Sequence, residues 1–333
     1  MSQSSAHPQG IAESDLLMER KSRFAELARL IPHTGSYDLL LDHEIEAGLF
    51  KALQLQTCIY ISACLVTGGR VLSAEEIVER LSDRRVSLPN KTPNGLLLAK
   101  ADMTLEFNLL HKCFARIMSG LGFDHLTDVW SLPMNVRVVS GQADPAILNR
   151  PYASSKAHSD TWAGEPADSV LLNVPILGDI GRTSLEWLEP PPALGESHLK
   201  TLSDFNDGEA IVRQSSKIDL TPKLGHIYFS DCALLHRTVR VNGGGCRVSI
   251  DLRIRMKTTP SYKAYVERLR GPSTLGSHYV PFQLWQRVGT ETLMVFEETM
   301  EECRNKYRTP QASYGTGAPF KMLELNTDRA EVA

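Results

Sequence analysis

Apolar positions in the first third of the chain recur at helical intervals. Over residues 39–66, Leu41, Ile45, Leu49 and Leu53 fall on one stripe, and a helix is expected there. Ser73-Ala74-Glu75-Glu76 is a capping-box sequence ahead of Ile77, Val78 and Leu81. Between 94 and 119, Leu98, Leu105, Leu109 and Ile117 predict a further long helix, stopped by Gly120 and Gly122. Pro89 and Pro93 break the chain between these helices.

At Pro133 the period changes from helix-like to strand-like. Short β-branched segments appear at 135–140, 169–176, 184–188, 210–212, 225–229 and 247–256. Gly178, Gly181, Gly225 and the run Gly243-Gly244-Gly245 separate them. Strands at this spacing, with no helices between them, predict an antiparallel barrel or a double-sheet jelly roll. Two longer connections stand out. Residues 140–157 follow the first strand, and residues 190–209, opened by Pro190-Pro191-Pro192, form a polar excursion of the kind that covers a site or sits as a surface insert. The tail returns to a helical stripe, with Thr290 as cap and Leu293, Phe296, Met300, Cys303 and Tyr307 on one face. Residues 310–333 read as loosely ordered. The pattern divides the chain into a helical region over 1–130, a strand core over 131–258 and a helical extension over 259–333, packed as one structural unit.

Composition narrows the field. The chain has 333 residues, 42% hydrophobic and 23% charged, an ordinary globular balance. A net charge of −3 supplies no basic field for nucleic acid or anionic lipid. No stretch approaches the roughly 20 apolar residues that span a bilayer. Met1 to Asp15 is polar and does not read as a signal peptide. Six scattered cysteines without a CxxC read as reduced thiols of a cytoplasmic protein.

The chemistry concentrates in a few residues. His158-Ser159-Asp160 places an imidazole and a carboxylate two positions apart, which on an extended strand end face the same way. His236, after the strand at 225–229 and a short turn, can bring a third ligand from a neighbouring strand. Two imidazoles and a carboxylate make the facial triad that holds non-haem Fe(II) and leaves positions open. Arg247-Val248-Ser249 on the final strand offers a guanidinium and a hydroxyl on one face. Competing readings exist for the neighbours. His226 lies inside a strand with Tyr228 and Phe229 and reads as a packing residue. His198 sits in the polar excursion and reads as solvated. Asp231 and Arg237 flank the site and can pair with each other. Cys232 and Cys246 also flank it, but a centre of this type prefers imidazole and carboxylate over thiolate.

The order of these motifs over residues 130–256 resembles the Fe(II)/2-oxoglutarate-dependent dioxygenases, broadly the phytanoyl-CoA-hydroxylase-like group. That family's fold is a double-stranded β-helix, so the resemblance implies an α+β chain with a jelly-roll core, a helical N-terminal region and a C-terminal helix. The stretch from His158 to Pro166, followed by Val174-Pro175-Ile176, also resembles oxygenases of antibiotic and carbohydrate gene clusters, including streptomycin-type pathways. Residues before about 130 match no signature. Carried over residue by residue, the resemblance implies His158, Asp160 and His236 as iron ligands, with Arg247 and Ser249 on the distal carboxylate of 2-oxoglutarate. It implies O2 as the third reactant and a small polar metabolite, such as an amino acid, amino sugar or biosynthetic intermediate, as substrate. Halogenating relatives lack the carboxylate ligand, so Asp160 argues for oxygen insertion. Arg137, Asn173 and Thr183 are candidates for a second co-substrate contact or the substrate pocket, and Trp162 for the pocket wall. Two other classes remain open: a cupin-like metal enzyme that does not use 2-oxoglutarate, and a non-catalytic small-molecule-binding jelly-roll protein.

Overall fold

A computed structural model describes residues 13–83, 85–142, 145–191, 195–269, 278–306 and 319–325. In chain order the elements are α1 (Glu13–Leu30), β1 (Gly35–Tyr37), β2 (Leu40–Glu44), α2 (Ala47–Cys64), α3 (Ala74–Ser82), β3 (Leu96–Leu97), α4 (Thr104–Leu121), β4 (Thr127–Leu132), β5 (Asn135–Ser140) and α5 (Pro145–Leu148). They continue with β6 (Ser169–Gly178), β7 (Thr183–Glu189), α6 (Glu209–Val212), β8 (Ser216–Lys217), β9 (His226–Asp231), β10 (Leu235–Arg240) and β11 (Cys246–Met256). The last are α7 (Pro260–Leu269), β12 (His278–Val280), α8 (Phe282–Arg287), β13 (Thr292–Phe296), α9 (Met300–Lys306) and β14 (Phe320–Glu324).

The chain mixes helices with antiparallel sheets. The larger sheet runs β1-β2-β9-β6-β11-β4-β12, with β5 also paired to β11 and β3 to β5. A second sheet runs β10-β7-β8, and β13 and β14 pair as a separate two-stranded sheet. Strand β11 is the organiser. It pairs along its length with β6, and on its other edge with β5 over Cys246–Asp251 and β4 over Ile254–Met256. Its two faces differ sharply. Val248, Ile250, Leu252 and Ile254 are fully buried in the main core, where α3 packs against β11 and α2 and α3 against β6. Arg247, Ser249, Asp251 and Arg253 occupy the alternate positions and are buried as well.

Local signals explain the helix ends. Ser73 and Glu76 form the expected capping box of α3, a device worth about 1 kcal/mol. Helix α4 ends at Gly122 in the left-handed region at φ 67°. The long helix expected from residue 94 begins only at Thr104, because Leu96 and Leu97 pair with β5. The helix expected over 39–66 is likewise shortened by β2, which pairs with β9.

Two further expectations are corrected. The segment at 210–212 is helical and belongs to α6. The tail stripe is not one helix: residues 292–296 form β13, with Thr292, Met294 and Phe296 buried in alternation, and only Met300 onward is helical. Tyr307 lies outside the described residues, as does most of 310–333; Phe320–Glu324 within that stretch pairs with β13. Residues 1–12, the larger part of the leader reading, also lie outside them. Among the described residues no helix is long and apolar enough to cross a membrane.

Candidate metal centre and its cavity

His158 and His236 face each other across a pair of reciprocal backbone hydrogen bonds, 3.0 Å from His158 N to His236 O and 2.8 Å in return. Both imidazoles therefore hang from one antiparallel bridge, with ring centroids 4.4 Å apart. Asp160 opens the short turn that follows His158. Ser159 caps that turn through the Thr161 N–H, and its hydroxyl also donates to the Cys232 carbonyl at 2.8 Å. That bond ties the Asp160 turn to the 231–235 turn leading into His236. Buried Arg20 on α1 joins the 231–235 turn to the segment entering β6, donating to Asp231 Oδ1 and to the Ala167 carbonyl, each at 2.7 Å.

The donor atoms converge. Asp160 Oδ1 lies 3.9 Å from His158 Nε2 and 3.7 Å from His236 Nε2, and one ligand atom from each of the three residues lies within 4.8 Å of the others. No other such group occurs among the described residues. His158 Nδ1 donates to the Lys156 carbonyl at 2.7 Å, which leaves the Nε2 lone pair facing the site. The Phe205 ring, from the 190–209 excursion, stacks on His158 at 4.0 Å. Asp160 Oδ2 accepts a hydrogen bond from Arg253 Nε at 2.9 Å and lies 2.8 Å from Nη2 in the same ion pair.

Electrostatics set the protonation states. Burial, reinforced by His236, pushes the His158 imidazole down to about 3, and burial also lowers His236. Burial alone would raise the Asp160 carboxyl, but Arg253 and the two imidazoles outweigh it and hold it well below the ordinary carboxylate range. At pH 7 the site thus presents two neutral nitrogens and one carboxylate oxygen, the protonation states that ligation requires. Metal uptake at this pH is therefore expected to release no proton from these groups, since an imidazole whose proton affinity has fallen so far is already bare. Calorimetric titration with Co(II) in two buffers of different ionisation enthalpy should give the same heat. A buffer-dependent heat equivalent to about one proton per site would show an imidazole entering as its cation.

The triad opens into a cavity of about 320 Å³ lined from both sheets. Leu171, Asn173, Arg247, Asp251 and Arg253 contribute from β6 and β11, Arg137 from β5, Leu185 from β7, and His236 and Thr238 from β10. Asn94, Tyr152, Ser154, Ala163 and Phe205 complete the wall. Arg247 is 1% exposed, and its Nε and Nη1 are buried without a hydrogen-bond partner. Ser249 Oγ and Asn173 Oδ1 are in the same state. Burial pushes the Arg247 guanidinium down to about 10, with Asp251 opposing and Arg137 adding to the effect, so it remains a cation at pH 7. Buried donors on a cation are normally paired, and these face a cavity large enough for a small anion. Arg137, by contrast, is committed to Asp251 through Nε and, at 3.3 Å, Nη2.

Other candidates sit elsewhere. Trp162 does not line the cavity; it is fully buried behind it, and its Nε1 donates to the His198 carbonyl at 2.7 Å. Thr183 lies outside the wall, with its hydroxyl 3.3 Å from the Gly245 carbonyl. His226 faces Asp42 at 3.4 Å and is not part of the triad. His198 is buried, not solvated, because the excursion folds inward and Gly195 accepts from its Nδ1 at 2.8 Å. Asp231 and Arg237 do not pair: Asp231 takes Arg20, and Arg237 takes Glu186. The Cys232 and Cys246 thiols point to the Ala167 and Val78 carbonyls. Sequence reading missed Asp251, Arg253 and Phe205. For the first two the signal was present, as same-parity polar residues continuing along the strand of Arg247.

No protein-family model matches the chain, and no curated protein matches it. Solved structures similar to it include AviO1 from Streptomyces viridochromogenes Tue57, at 15% identity over 72% of this chain and 96% of that one, with a TM-score of 0.40. Another is SnoK, a non-heme alpha ketoglutarate dependent carbocyclase from nogalamycin biosynthesis, at 10% identity, 75% and 87% coverage and a TM-score of 0.39. A third is an N-substituted L-amino acid dioxygenase from Burkholderia ambifaria AMMD, at 13% identity, 66% and 86% coverage and a TM-score of 0.35. At these TM-scores the likeness carries no argument, and the case for this chain rests on its own side chains.

Proposed function

We propose that this chain is an Fe(II)/2-oxoglutarate-dependent oxygenase that oxidises a C–H bond of a small polar metabolite. The observation that carries the reading is one cavity holding both the His158, Asp160 and His236 donor atoms and the buried, unpartnered Arg247 guanidinium. The residues fit a ferrous ion: two neutral imidazoles and one carboxylate, with no further His, Cys, Asp or Glu among the described residues joining the group. Bound iron would supply O2 activation for substrate oxidation, with 2-oxoglutarate converted to succinate and CO2.

The chain's own groups divide the remaining work. Arg247 receives the distal carboxylate of the co-substrate with a forked guanidinium, which orients it as a point charge cannot. Ser249, two residues along the same strand face, is not part of the cavity wall, but its buried, unpartnered Oγ is read as a supplementary donor beside Arg247. Phe205, Leu171, Leu185 and Ala163 keep bulk water from the reacting centre. Tyr152, Ser154 and Thr238 offer neutral polar contacts to a substrate. At about 320 Å³ the cavity lies at the small end of ligand sites, so substrate and co-substrate together must be compact. The same reading takes the two sheets as a double-stranded β-helix over 131–258, with 1–130 and 259–333 packed on it and lending edge strands. A role in secondary metabolism follows from the resemblance of the His158 segment.

The test is oxygen consumption with Fe(II), 2-oxoglutarate and a panel of small polar metabolites. Succinate is expected only when iron and 2-oxoglutarate are both present, and a chelator should stop its release. Metal-dependent turnover without 2-oxoglutarate would replace this reading with a cupin-like one. Absence of metal binding would leave a non-catalytic binding protein.

A further inference from the structure

The geometry points to Arg253 as the positioning residue that makes Asp160 a one-oxygen ligand and so keeps the centre open. The inference rests on reading His158, Asp160 and His236 as a metal centre. A carboxylate has two oxygens, and either or both can bind an ion. Here they are not equivalent. Both N–H contacts from Arg253 fall on Oδ2, at 2.9 and 2.8 Å, while Oδ1 is the oxygen that faces the two imidazoles at 3.7 and 3.9 Å. Both nitrogens converge on that one oxygen, so Oδ2 is engaged by the guanidinium while Oδ1 is left facing the imidazoles. With Oδ2 held away, Asp160 can contribute one bond, the triad supplies three ligands in all, and co-substrate and O2 find the rest of the sphere vacant. With Oδ2 released, the carboxylate can chelate through both oxygens and take one of those positions.

Arg253 is itself braced. It lies opposite Leu171 on β6, two residues beyond Asp251 on the polar face of β11. Asp251 Oδ2 and Glu165 Oε1 each lie 3.9 Å from its guanidinium, and the Tyr279 hydroxyl on β12 donates to Glu165 Oε2 at 2.8 Å. The support therefore runs from the ligand carboxylate through Arg253 and Glu165 to Tyr279 on the edge strand of the larger sheet.

The experiment is Co(II) titration of the full chain, followed by affinity and by the intensity of the Co(II) visible absorption, which weakens as coordination number rises. Wild type, Arg253→Lys and Arg253→Gln are compared, with circular dichroism to establish folding. Lysine keeps the charge but cannot place two nitrogens on one oxygen. Affinity is expected to fall about 10–100-fold in both variants, the usual effect of losing a partner of a metal ligand. The absorption should also change, which a loss of general stability would not produce. Folded variants that keep wild-type affinity and spectrum overturn the role of Arg253. Should both arginine variants fail to fold, Glu165→Gln carries the test: a smaller shift in the same direction supports the inference, and an unchanged spectrum and affinity overturn it. Failure of co-substrate turnover in a chain that binds Co(II) would sink the oxygenase reading and leave Arg253 standing. Failure of the wild type to bind Co(II) would remove both.

Discussion

Replacing His236 with alanine is expected to abolish iron-dependent turnover and to weaken metal binding by more than about 100-fold. The bound follows from scale, because losing a mere partner of a ligand already costs about 10–100-fold. This variant is cleaner than removal of the carboxylate ligand. Removing the imidazole leaves Asp160 paired with Arg253, so no buried charge is orphaned and the fold should persist. Asp160→Ala lacks that virtue. It strips Arg253 of its nearest counter-ion, and breaking a buried pair costs on the order of 3–5 kcal/mol, so lost activity would be confounded with lost stability. Co(II) titration and succinate release measure the His236 effect, with circular dichroism as the control. A folded His236→Ala chain that still takes up metal at wild-type affinity would refute its ligand role.

Arg247→Met should separate binding from stability with opposite signs. In the free protein the guanidinium is buried with unpartnered nitrogens, so replacing it by an apolar chain of similar length should leave the melting temperature level or raise it. In the complex, the same change removes one side of a buried charge pair. That loss is worth about 2–5 kcal/mol, or about 30- to 5,000-fold in 2-oxoglutarate affinity. Thermal melts without co-substrate and calorimetry with it give the two readouts. A variant that melts lower yet binds 2-oxoglutarate as wild type does would show Arg247 to be structural.

How far these residues were legible in the sequence follows from what each pattern can encode. The strands at 169 and 247 stood out because they are apolar, β-branched and bounded by glycine. The His-x-Asp pair was visible because its two ligands are neighbours in sequence, and Arg247-x-Ser249 because the strand places alternate residues together. Asp251 and Arg253 extend the same row, but alternating polar residues on an antiparallel strand ordinarily mean a face in water. Here the second sheet covers that face, so the polar row lines a cavity, and only the tertiary arrangement reveals it. Phe205 escaped for a different reason: it sits in an irregular segment whose path over His158 no period describes. In the tail, Phe296 satisfies both a helical and an alternating pattern, and the pairing of β13 with β14 decided between them.

The mutual backbone bonds between His158 and His236 have a consequence for how the protein handles its ion. A zinc finger cannot assemble its ligands until the metal arrives, so chelators unfold it. In this chain the rung carrying both imidazoles is closed by amides alone. Stripping the ion should leave the scaffold standing and reload without refolding. Bound metal then adds stability only by mass action, about 2.7 kcal/mol at a hundredfold excess over its dissociation constant.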